Sequence, residues 1–163
     1  ARILDATEGA SRSSLHAEPY RERGARAHRL LAEGRVEEAA RVLVGVGPGL
    51  TPSGDDALAG AVLALRAAIG PDAEPLTRRA ADAGETGEIS RSFLRWAARG
   101  QALASAHDLL LAAAGGDGQG TARAARRLGM VGETSGADFL LGLRWGVEAA
   151  AQRVATPSVH SLR

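Results

Sequence analysis

Apolar residues recur every three or four positions through most of this chain, and nowhere do they alternate over a sustained run. "VEEAARVLV" sets Val36, Ala39, Ala40, Leu43 and Val44 on one face, and "DALAGAVLALRAAIG" does the same with Leu58, Ala61, Val62, Leu65 and Ile69. That is the period of a helix that buries one side. The same spacing predicts helices over residues 20–31, 76–83, 89–98, 102–113, 121–128 and 136–154. Breakers at Gly70-Pro71, 84–87 and 115–120 divide them. The expected fold is all-α, one compact multi-helix domain over 20–154, in which abundant Ala favours helix and lets helices approach closely. Residues 1–19 are expected to be a poorly ordered N-terminal segment and 155–163 a flexible tail.

Within this pattern one stretch echoes another. "SGDDALAG", Ser53 to Gly60, returns as "SGADFLLG", Ser135 to Gly142, with Ser, Gly, the second Asp, Leu and the last Gly in matching places. Upstream, Gly49 and Thr51 correspond to Gly132 and Thr134 if Pro52 is an insertion. The chain therefore reads as an internal pseudo-repeat: two similar Gly-rich helix entrances in one core, facing each other.

Helix-entry chemistry accounts for part of each copy. Ser53 and Ser135 have the residue type of N-caps, and Asp56 and Asp138, three positions on, suit an approximate capping box and the helix dipole. Gly60 and Gly142, one turn later, let two helices cross closely. What capping leaves over is the approach: Gly45, Gly47 and Gly49 alternating with Val46 and Pro48, the hydroxyls of Thr51 and Thr134, and the surplus carboxylates of Asp55 and Glu133. Backbone freed at every second residue turns N–H groups inward as an anion nest. Candidate ligand contacts are thus Gly47, Gly49, Thr51, Ser53, Gly54, Asp55, Asp56, Ser90, Thr134, Ser135, Gly136 and Asp138.

Composition narrows the ligand. All 20 basic side chains are Arg and the net charge is +1, so no lysine chemistry is available and no global field gathers nucleic acid. Cysteine is absent, which removes disulfides and thiolate chemistry. No apolar run reaches the roughly 18 residues that span a bilayer, and the start has no signal-peptide core, so a cytoplasmic protein is expected. A bare phosphate or small anionic metabolite among Asp55, Asp56 and Asp138 needs Mg²⁺ or a neighbouring Arg, the three aspartates being the candidate metal ligands. The alternative is a neutral or cationic ligand held by the aspartates directly.

Two further features carry less. Arg91, Arg95 and Arg99 form a stripe at i,i+4 spacing on a helix whose other face holds Ile89, Phe93 and Ala97, and such stripes are usually solvated. His107 reads as a packed histidine, Trp96 and Trp145 as core or interface anchors, and His16, His28 and His160 lack metal-ligand spacing.

"GVGPGLTPSGDDALAG", "ISRSFLRWAARGQ" and "GETSGADFLLGL", in this order, resemble a bacterial family first recognised as a domain of unknown function, which includes the AllH-type subunit associated with oxamate carbamoyltransferase in anaerobic allantoin breakdown. The resemblance spans roughly residues 36–146, its glycine-rich motif being the most specific part. It implies participation in carbamoyl transfer between oxalurate and phosphate, giving oxamate and carbamoyl phosphate, in company with larger subunits or in a homo-oligomer. Family members are longer at the N-terminus, so the chain resembles their helical C-terminal part or a short form. Two readings compete with a metabolite-binding subunit: a docking module without chemistry, and a metal-dependent hydrolase.

Overall fold

The computed structural model describes residues 7–155. Among them are eight α-helices and no strand: α1 (Arg21–Ala32), α2 (Val36–Leu43), α3 (Ser53–Ile69), α4 (Glu74–Ala81), α5 (Glu88–Ala98), α6 (Ala104–Ala114), α7 (Gly118–Gly129) and α8 (Ser135–Ala155). The all-α expectation holds, with each boundary within three residues of the one that periodicity predicts. None of these helices is long and apolar enough to cross a membrane.

α3 is the centre of the molecule. From Ala57 to Leu65 every residue is buried, so the helix is surrounded rather than laid on a surface. Its main partner is α8. Gly142 packs on the Ala57 carbonyl, Gly146 on the Ala61 carbonyl, and Gly60 on the Phe139 carbonyl, each so closely that a Cβ would collide with backbone. The pairing of 57 with 142 and 61 with 146 means that the two helices run in the same direction. Both first turns therefore lie at one end of the core.

α5 packs against α3 through Ser90, Leu94, Ala97 and Ala98. The face expected to be buried is thus rotated: Ile89 is 48% and Phe93 43% exposed. Ser90, Ala97 and Ala98 allow the close approach that an Ala-rich partner demands and Leu94 fills the contact, which leaves Ile89 and Phe93 at the edge. The arginine stripe is not a uniform solvated face either. Arg91 donates to the carbonyls of Ala81 (2.6 Å) and Gly84, tying the end of α4 to α5. Arg95 makes only an exposed pair with Asp82 at 3.1 Å.

The N-terminal segment, expected to be poorly ordered, is packed in part. Ala10, Ser13 and Leu15 are buried, and Asp138 on α8 accepts from the Ser13 hydroxyl (2.6 Å) and the Ser14 N–H (3.0 Å). Trp145, also buried, stacks on His28 of α1 at 5.3 Å, and the His28 ring lies 2.7 Å from Glu148. Residues 1–6, the expected tail beyond Ala155, and His160 lie outside the described residues.

Candidate functional site

Each helix of the central pair is entered in the same way. α2 ends at Leu43, the Val46 N–H returns to the Leu43 carbonyl (3.0 Å), and the Gly54 N–H donates to Val46 O (2.8 Å). α7 ends similarly: Val131 N–H to Leu128 O (3.0 Å), then Gly136 N–H to Val131 O (2.9 Å). Gly54 and Gly136 are required by close approach, since a side chain at either would strike the Leu43 or Leu128 carbonyl. In the first approach Gly47, at φ +117, turns the chain against Ser53 in a conformation that L side chains rarely adopt.

The serines are not the caps. Pro52 occupies the cap of α3, and its carbonyl accepts from Asp55 and Asp56, so Ser53 is the first helical residue. In α8 the Thr134 carbonyl accepts from Asp138, again one residue before the serine. At α3 the cap is Pro52, with no N–H to donate and φ near −52°, but the same shift at Thr134 shows that it does not need a proline. Every carboxylate is thereby moved one place along its helix, and the roles of Asp55 and Asp56 exchange.

Asp55, the expected surplus carboxylate, is buried and structural. Its two oxygens accept from the Gly45 N–H (2.8 Å) and from the Thr86 hydroxyl, fastening the glycine-rich approach and the chain before α5 to α3. Asp138 likewise fastens the N-terminal segment. Asp56, the expected capping residue, instead faces α8. Its Oδ2 is buried and unpartnered, as is Oδ2 of Asp138. Burial pushes the Asp56 carboxyl up to about 7, and the charges of Asp138 and Asp55 add to the rise, while hydrogen bonds from Ser135 and Thr51 oppose it.

Asp56 forms part of a cavity of about 460 Å³ at the shared end of α3 and α8. Thr51, Asp56 and Ser135 give it a polar patch, the two hydroxyls 3.3 Å apart. Phe93, Trp96, Leu103, Val131 and Phe139 give it apolar walls, and Phe93 and Trp96 meet edge to face. Of the expected contacts, the structure brings Thr51, Asp56, Ser135 and Gly136 to this cavity. Gly47, Gly49, Ser53, Gly54, Asp55, Thr134 and Asp138 shape the entrances behind it. Ser90 is buried and donates to the Leu50 carbonyl at 3.3 Å. Asp55, Asp56 and Asp138 do not form one ligand set: among the described residues no three acidic or histidine side chains group in a way that could hold a metal ion. The aromatic wall is the part of the site that periodicity missed, because its residues look like a core face.

Around this opening the surface is apolar. Leu50, Ile89, Trp96, Leu103, Met130 and Val131 are all exposed large hydrophobics, between 37% and 76% accessible, and three of them line the cavity itself.

A family model described as oxamate carbamoyltransferase subunit AllH matches residues 43–147, from the last residue of α2 into α8. The chain belongs to the AllH family. The match to AllH takes in both entrances, the aromatic wall on α5 and the whole cavity. As a subunit-type family, AllH brings protein partners with it. No curated protein and no solved structure matches the chain.

Proposed function

We propose that this chain supplies a small-metabolite site to an oxamate carbamoyltransferase assembly of the cytoplasm, receiving the carbamoyl-bearing end of an oxamate-like ligand in the Asp56 cavity. The observation that carries the reading is that Asp56, a lining residue of that cavity, has a buried Oδ2 without a hydrogen-bond partner. Buried polar atoms in folded proteins have partners, and a carboxyl that lacks one while lining a cavity marks the place of a ligand group.

The chemistry of the lining selects the ligand. No Arg lines the cavity, so a bare phosphate at Asp56 would meet no compensating cation. A carboxyl that titrates near 7 is half protonated at neutral pH, and its acid form presents one O–H donor and one carbonyl acceptor. That pair matches a –CO–NH₂ group in both senses. The anionic end of such a ligand is read onto Thr51 in the cavity lining, whose backbone N–H makes no hydrogen bond among the described residues. Thr51 and Ser135 hydroxyls would fix the orientation. Titration with oxamate at pH 6 is expected to raise the melting temperature of the native chain and to leave that of Asp56→Ala unmoved. An equal rise in both proteins sinks the assignment.

The apolar rim favours a second role for the same face: a partner subunit closes the cavity, burying the rim and excluding water from the bound carbamoyl group. Exposed apolar clusters of this kind are where proteins associate. Trp96→Ser, at a half-exposed residue, should abolish co-elution with the larger subunits in gel filtration while leaving the melting temperature within a few degrees of native. Undiminished co-elution would exclude this face as the interface.

A further inference from the structure

The chain from Arg99 to Leu103 contributes to two cavities. Gln101, Ala102 and Leu103 line the one that contains Asp56, whereas Arg99 and Gly100 line another, of about 280 Å³. Arg66 from the end of α3 and His107 from α6 complete its polar wall, over Leu63 and Leu110. No acidic residue lines it. Among the described residues neither Arg66 nor Arg99 makes an ion pair, whereas Arg21, Arg35, Arg79, Arg95, Arg127 and Arg144 all have carboxylate partners within 3.2 Å.

Arg66 is the telling side chain. Its Nε is buried without a hydrogen-bond partner, and its stem runs beside Gly100. A guanidinium is charged at every accessible pH, so it cannot relieve such burial by losing its proton. His107 adds a neutral donor: Nε2 accepts the Ala102 N–H at 3.2 Å, which leaves the ring proton on Nδ1.

We infer that this cavity is a second ligand site, specific for a small oxyanion of the phosphate or carboxylate type, held between the guanidinium groups of Arg66 and Arg99 beside the His107 ring. Two forked donors fit two oxygens of one anion, a geometry that an ammonium or a lone histidine does not offer. The site shares no residue with the Asp56 cavity and does not depend on the reading given to it.

Isothermal titration of the full chain with inorganic phosphate, and separately with acetate, both at constant ionic strength held with NaCl, tests the assignment. Phosphate binding is expected to weaken at least about tenfold in Arg66→Met and in Arg99→Met, the loss of one charge-assisted contact each, and to be unchanged in Asp56→Ala. Arg99 is exposed, so its variant keeps the fold even if Arg66→Met does not. Acetate saturating the site in place of phosphate would identify it as a carboxylate site. Equal phosphate and acetate responses in the native chain and Arg99→Met, or no response to either anion in the native chain, would overturn the inference.

Discussion

Gly142→Ala should cost the fold about 3 kcal/mol, at the upper end of what one added methyl group does to a packed core. The reason is the atom it meets. At Gly142 a Cβ runs into the Ala57 carbonyl of α3, a backbone group inside a buried helix that has no rotamer to change. The gain in helix propensity, about 1 kcal/mol for Gly to Ala, is smaller than this and already included in the net figure. Gly118→Ala is the matched control: it also lies on a helix, nothing stands within 4 Å of its Cβ position, and the change should be neutral or stabilising by up to about 1 kcal/mol. Urea denaturation of the two variants measures the contrast, and equal stabilities would mean that α3 and α8 are free to separate. The consequence reaches the site. Asp56 and Ser135 stand on the two helices that Gly142 holds together, so a forced crossing should also weaken oxamate binding.

That crossing was legible in the sequence, because close helix packing has a local signature: Gly60, Gly142 and Gly146 lie on buried faces of strongly periodic segments. The helices were legible for the same reason, and so was the grouping of Thr51, Asp56 and Ser135 at one end, since each entrance carries its own small motif. The division of labour between Asp55 and Asp56 was not. It depends on which residue caps α3, and a one-place shift at Pro52 turns Asp55 back toward Gly45 and Thr86 while it turns Asp56 toward α8. The partners of the structural aspartates lie 31 positions away for Thr86 and 125 for Ser13, and contacts over such separations leave no mark in local spacing. The rotation of α5 was hidden by the same limit. Ile89 and Phe93 define a clear stripe, but the face that wins burial is the one with Ser90, Leu94, Ala97 and Ala98, where three small side chains let the helix approach its neighbours closely around a single leucine.

Asp56 gives the second large effect, with a sign opposite to that of most buried-residue substitutions. In the unfolded chain its carboxyl titrates at the ordinary value of 3.8, and in the native state at about 7. Below pH 4 both states hold the proton and the residue makes no pH-dependent contribution. Between about 4 and 7 only the native state holds it, so stability falls as pH rises through this window and levels off above it. A shift of about three units corresponds to a loss on the order of 4 kcal/mol. Asp56→Asn removes the titration while keeping a donor and an acceptor in the same place. The variant should match the native chain near pH 4 and exceed it in stability at pH 8, as read from denaturation midpoints across that range. Parallel profiles for the two proteins would show that Asp56 is not held in its acid form. Ligand binding should follow the same proton. Oxamate affinity of the native chain should decline above pH 7 as Asp56 loses its O–H, and the Asn variant should bind with no such decline. A carboxyl that destabilises its own fold at neutral pH is what a binding residue looks like when its partner is absent, and occupancy by a carbamoyl group, which pairs with the acid form, would raise its pKa further and recover part of the loss.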